Sequence, residues 1–246
     1  MLLRFYYIVI VLYFITFVIQ LLKWKRIGFF IALLAVINNG VVLTLILLQS
    51  GHIPVFNIFE SFLFTTFIMG VIGLFAITPG VYVDKIRSWV WLEILILLCI
   101  TLFSPKESAL SIYNYGYIYI ILFHVFRYSS LALMLDSSAY FIQFIIQREK
   151  DERTSFLSQQ GRNFLLLSAV IFLMSEYVEI IWCQNGWGDF WMWSQTFFQS
   201  TFIVLYLMLA FHIPGKGKYL EDIRSLIGGL TGFVVLTLTI VRSFLG

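Results

Sequence analysis

The residues with chemical potential in this chain are three histidines, one arginine inside an apolar run, and a knot of indoles. His124, in Leu122-Phe123-His124-Val125, and His212, in Leu209-Ala210-Phe211-His212, both sit in long apolar stretches. An ionisable side chain is costly in such a place and as a rule functional. Imidazole is an axial ligand for haem iron, and a hydrogen-bonded packing histidine is the plain alternative. Arg127 follows His124 by three residues and so occupies a neighbouring helical face. A guanidinium there needs a counter-charge: Glu176 and Glu179 are candidates, and a carboxylate of a bound ligand is the functional alternative. The indoles lie in Asn185-Gly186-Trp187-Gly188-Asp189-Phe190-Trp191-Met192-Trp193-Ser194. A single helical turn would align Trp187, Phe190 and Trp191, with Trp193 close by. Together they could shelve a flat, apolar ring system; an aromatic belt at headgroup depth is the competing reading.

The elements that must position these groups follow from composition. Hydrophobic residues are 61% of 246 positions and charged residues 12%, against about half and a quarter in a soluble domain. The chain is expected to be an all-α integral membrane protein, because its apolar runs of about twenty residues suit helices rather than barrel strands. Eight spans are predicted, at 2–22, 27–48, 62–77, 88–103, 117–146, 163–183, 196–213 and 225–245. On a rise of 1.5 Å per residue, His124 lies roughly 10 Å below the outer surface, Arg127 about 15 Å, and His212 about 24 Å. Two ligands of one iron face each other across a single disc, so histidines this far apart in depth imply two separate sites, one outer and one inner.

Charge sets the orientation. Twelve of the sixteen basic residues fall in the loops after odd-numbered spans, among them Lys23, Lys25, Arg26, Arg162, Lys216 and Arg224. Basic loops stay cytoplasmic, so both termini and the tryptophan loop are expected outside. The first span is not read as a cleavable signal, since its basic cluster follows the apolar run. The longest polar stretch, 147–162, is read as a cytoplasmic connector, leaving a single polytopic domain over 1–246. The net charge of +3 reflects the inside bias and points to no nucleic acid. Cys99 and Cys183 are near the outer face, where they could form a disulfide or act as small apolar residues. Glu93 and Asp136 are read as interfacial, and Gly228 and Gly232 as a small-xxx-small pair suited to close packing. No Walker loop, dinucleotide fingerprint or zinc-ligand spacing occurs.

The stretch Trp187-Gly188-Asp189-Phe190-Trp191-Met192-Trp193 resembles the W-G-x-x-W-x-W-D signature of the haem-handling proteins of cytochrome c maturation, the CcsA/ResC and CcmC families. The segment Gly51-His52-Ile53-Pro54-Val55-Phe56-Asn57-Ile58-Phe59-Glu60-Ser61 is similar to the G-H-F-P-x-S-N-L-Y-E-S loop of CcsA, and this match and the eight spans favour CcsA over CcmC. The matches cover about 50–213, with the tryptophan-rich external loop at 183–195. The resemblance implies a subunit of a cytochrome c synthetase of haem-lyase type, in the inner (cytoplasmic) membrane with its tryptophan loop periplasmic. It implies haem b as the group transported or presented, an apocytochrome with a CxxCH segment as acceptor, and a CcsB/ResB-type membrane partner. By the same resemblance His124 is the external-site ligand, His212 the transmembrane-site ligand, and Trp187, Phe190, Trp191 and Trp193 the shelf, with Arg127 a candidate for a propionate. The chain departs from the family in three places, one of them Gln195-Thr196-Phe197, which does not reproduce the P-K-E that follows the signature. Ser194 stands where the signature has aspartate, and Val241-Arg242-Ser243-Phe244-Leu245-Gly246 lacks the H-S-Y element that supplies a second external histidine. The outer site then takes another ligand, from a partner or from His52, or is weak or absent. The alternative expectation is a haem-free transporter or a structural subunit of a membrane complex.

Overall fold

The structure is a computed structural model that describes residues 2–75, 82–106, 118–147, 155–188, 195–214 and 217–245. For 187, 195–197, 218 and 243–245 it describes the backbone alone. Among the described residues there are eight α-helices: α1 Leu2–Leu21, α2 Lys25–Ser50, α3 Ile58–Phe75, α4 Val83–Phe103, α5 Ile118–Gln147, α6 Ser155–Trp187, α7 Gln195–His212 and α8 Lys218–Leu245. Seven of them are long and apolar enough to cross a membrane, and the apolar part of α7, Phe198–His212, is shorter. In hydrocarbon each backbone amide must be paired within the protein, and a helix does this without needing its neighbours. That is why the apolar runs of the sequence and the helices of the structure coincide.

The ends differ from expectation, for identifiable reasons. α3 begins four residues early because Asn57 caps it: its side-chain oxygen accepts the Glu60 N–H at 2.8 Å, and Glu60 Oε2 accepts the Phe56 N–H at 3.1 Å. This reciprocal arrangement is a capping box. Gly51, at φ +71°, closes α2 with its N–H on the Leu47 carbonyl, and the Ser61 hydroxyl donates to Val55. The motif at 51–61 therefore has a local structural role in ending one helix and starting the next. The stretch 147–162, read as a connector, is a correction: α6 already starts at Ser155, and Arg162 lies two turns inside it. α8 likewise starts seven residues earlier than expected, at Lys218.

The chain divides into two compact units, α1–α4 and α5–α8. In the first, consecutive helices pack antiparallel and α1 also meets α4, closing the bundle. Two of its buried polar pairs tie helices together. Tyr6 shares a hydrogen bond with Thr101 at 2.9 Å, and the Asn39 amide donates to Thr66 Oγ1 at 3.0 Å. Gly70 lets α3 approach so closely that a Cβ there would lie 2.6 Å from the Tyr13 hydroxyl and 2.7 Å from Val36.

In the second unit α5 packs on both α6 and α8, with α7 against α8. The Ser130 and Ser137 hydroxyls donate to the Ser168 and Gly161 carbonyls at 2.9 and 2.7 Å, fixing an antiparallel α5–α6 pair. Gly228 and Gly232 face α5: a Cβ on Gly232 would lie 2.9 Å from the Leu135 backbone, and one on Gly228 2.6 Å from the Phe141 ring. The small-xxx-small spacing thus marks the close α5–α8 contact. Glu93 and Asp136, read as interfacial, are instead buried within α4 and α5. Neither carboxylate oxygen of Asp136 has a hydrogen-bond partner among the described residues. No disulfide joins Cys99 and Cys183.

Candidate functional site

One end of the second unit holds a buried cluster of ionisable side chains. On α5, Phe123 and Arg127 are four apart and share a face; on α6, so do Phe172 and Glu176. Two helices carrying the same aromatic-plus-charge spacing meet antiparallel, and each aromatic ring covers the guanidinium. Arg127 lies over the Phe123 ring at 5.4 Å and the Phe172 ring at 4.8 Å. Its NH1 nitrogen pairs with Glu176 and donates to the Ser200 hydroxyl of α7 at 2.9 Å. The side chains of Arg127 and Glu176 are only 11% and 13% exposed, so the pair is shielded from whatever surrounds the bundle. NH2 of Arg127 is buried with no hydrogen-bond partner among the described residues.

His124 and Glu179 extend this pair by one turn towards the start of α5 and the end of α6. Arg242, near the end of α8, is close enough for its charge to act on both and on Arg127. Arg127, Arg242, Glu176 and Glu179 thus form a quartet of ionisable side chains with an imidazole beside it. His124 stacks on Tyr128, ring centroids 6.2 Å apart and planes 10° from parallel, and meets Phe123 edge-on at 5.1 Å. The ring is thereby oriented by aromatic neighbours on its own helix.

His212 is placed differently. It is the last residue of α7 and exposed, with Nδ1 2.8 Å from the Met208 carbonyl. A nitrogen bonded to a carbonyl must carry the proton, so in the neutral ring the lone pair is on Nε2. The Arg127–Ser200 bond aligns α7 with α5. His212 is twelve residues beyond Ser200, and His124 three residues before Arg127, so the two imidazoles are separated along the bundle by roughly 22 Å. This exceeds the offset expected from span boundaries and keeps the histidines at two separate positions. His52 belongs to the first unit, buried, with Nδ1 3.0 Å from the Ile53 carbonyl and its ring edge-on to Phe56.

α6 runs through Asn185 and Gly186 to Trp187, and Gly188 then ends it at φ +77°, its N–H on the Gln184 carbonyl at 3.1 Å. One expectation changes: residues 183–187 belong to the helix rather than the loop. Trp187 is eleven residues beyond Glu176, so α6 emerges about 16 Å above the ion pair, close to the level where α5 begins. Phe190, Trp191 and Trp193 lie outside the described residues, and of Trp187 only the backbone is described.

The donor types near Arg127 suit a haem in kind: an imidazole for iron, and a guanidinium nitrogen for a propionate. The guanidinium is nevertheless already engaged through NH1, and NH2 is buried, so a carboxylate reaches it only if the covering side chains move. Sequence reasoning named Glu176 and Glu179 as possible partners but missed Ser200 and Arg242. Arg242 had a signal, being a basic residue at the far end of the last span; Ser200 had none, because a serine in an apolar helix is ordinary. Comparison of the chain with protein-family models finds no match, and comparison with curated proteins finds none either.

Proposed function

We propose that the chain handles haem for c-type cytochrome maturation, as a CcsA-like subunit of a cytochrome c synthetase. One observation supports this reading above the others. His124, Arg127 and the emerging end of α6, which leads into the tryptophan-rich stretch, lie at the same end of one four-helix unit. In this reading His124 holds the iron of an outward-presented haem, and Arg127, whose NH2 has no hydrogen-bond partner among the described residues, turns to a propionate when haem enters. His212, with its Nε2 lone pair, marks a second position near the opposite end, completed by a ligand from a CcsB/ResB-type partner. The basic loops put that second position on the cytoplasmic side and the tryptophan stretch outside. The thioether bonds to an apocytochrome CxxCH segment draw on the haem vinyl groups and the cysteine thiols. The chain supplies orientation and iron ligation.

A second reading, a haem-free transporter or structural subunit, is favoured by the engagement of Arg127 with Glu176 and Ser200. An internal ion pair of this kind needs no ligand to justify it. The absorption spectrum of the purified full-length chain, expressed in haem-replete cells, decides between the two. The haem reading expects a Soret band that weakens in His124→Gly and in His212→Gly and recovers when imidazole is added. Absence of a Soret band from the parent chain, with and without a co-expressed ResB-type protein, overturns it in favour of the second.

A further inference from the structure

At the opposite end of the same four-helix unit, α6, α7 and α8 enclose a pocket of about 450 Å³. Two arginines line it, Arg162 from α6 and Arg224 from α8, with the polar side chains of Ser158, Gln159 and Asn163 beside them. Among the described residues Glu221 is the only acidic one in the lining, and Leu166 and Phe211 form an apolar side. Hydroxyl, amide and guanidinium donors therefore outnumber the carboxylate.

Arg224 is held by a hydrogen bond and an ion pair, both through NH2. Its NH2 donates to Ser158 Oγ at 3.3 Å, and Glu221, one turn earlier on α8, approaches no closer than 3.7 Å. Its Nε is buried and has no hydrogen-bond partner among the described residues. A buried guanidinium N–H without a partner is costly, and Arg224, which lines the pocket, has donors to spare for an oxyanion there. Ser158, whose hydroxyl fixes the guanidinium, is itself 3% exposed, so the arginine is built into the wall rather than trailing from the surface.

We propose that this pocket binds a phosphate oxyanion, gripped by the Arg162 and Arg224 guanidiniums. Two sources carry that chemistry, the headgroup of an anionic phospholipid and a free phosphate. The apolar side fits the former, since Leu166 is 59% exposed on a membrane-crossing helix and gives an acyl chain an adjoining path. Basic pockets between transmembrane helices on the cytoplasmic side are suited to such headgroups. The inference does not depend on the haem reading, because none of its residues belongs to the quartet around Arg127.

The test is native mass spectrometry of the detergent-purified full chain, titrated with phosphatidylglycerol, cardiolipin, phosphatidylcholine or inorganic phosphate. Retention of the two anionic lipids above phosphatidylcholine is expected, falling about fivefold for each of Arg162→Gln and Arg224→Gln. Glu221→Gln, which removes the competing carboxylate, is expected to strengthen retention, an effect that a purely structural arginine pair would not produce. Competition by millimolar inorganic phosphate that abolishes lipid retention assigns the site to free phosphate and leaves the oxyanion inference standing. Equal retention of anionic lipids and phosphatidylcholine, with no phosphate adduct, overturns it. So does retention unchanged in Glu221→Gln and in whichever arginine variant remains folded.

Discussion

Arg127 shows how much a single buried charge dictates. Its guanidinium is sandwiched by Phe123 and Phe172 and paired with Glu176, and both charged side chains are nearly inaccessible. Removing one partner leaves the other ion buried and uncompensated, which costs about 3–5 kcal/mol, whereas replacing both with apolar residues of similar volume is close to neutral. Arg127→Met and Glu176→Met are each expected to lower the thermal unfolding midpoint of the detergent-purified protein. The double variant should recover most of that loss. A double variant as unstable as the sum of the singles would contradict the pairing. The sequence marked Arg127 as needing an anion but offered Glu176 and Glu179 equally, three residues apart on one helix. The choice belongs to the α5–α6 register, set by Ser130 on Ser168 and Ser137 on Gly161, and no local pattern encodes that register.

At the scale of elements, glycine placement separates packing from capping. Gly232 faces the Leu135 backbone, which has no flexible end to move aside, so Gly232→Val is expected to push α8 from α5 and destabilise the unit by about 1–3 kcal/mol. Gly188 and Gly186, two residues apart, should respond in opposite ways. Gly188 holds a left-handed conformation that ends α6, so Gly188→Ala is strained. Gly186 is within the helix and a Cβ there meets nothing within 4 Å, so Gly186→Ala should stabilise the last turn by about 0.5–1 kcal/mol. Parallel thermal unfolding of the three variants checks the order. Asn57→Ala, which removes the α3 cap, is expected to cost about 1 kcal/mol in the same assay. Helix existence was legible along the whole chain, because each span satisfies its own backbone. Several helix starts were not. Caps and polar first turns such as Asn57–Glu60 and Ser155–Arg162 extend α3 and α6 beyond the apolar core that hydropathy detects.

For the whole molecule, the distribution of basic residues makes a sidedness prediction that composition alone cannot. In a chain with Cys99 and Cys183 replaced by alanine, Arg26→Cys should react with a membrane-impermeant thiol reagent only in inside-out vesicles. Lys106→Cys should react only in right-side-out cells. The reverse pattern would mean that twelve of the sixteen basic residues lie on the outer side. By itself the sequence determined that this is a membrane-spanning all-helical chain, approximately where its helices run, and which few ionisable groups are out of place within them. Those properties follow from hydrophobicity and backbone pairing, both local along the chain. The tertiary structure alone decided that the helices sort into two four-helix units, that Glu176 rather than Glu179 bonds Arg127, that Ser200 and Arg242 join that cluster, and that Arg162 and Arg224 share a pocket. Each of those is a meeting of side chains far apart in sequence, set by helix register and packing, for which no spacing rule along one helix is sufficient.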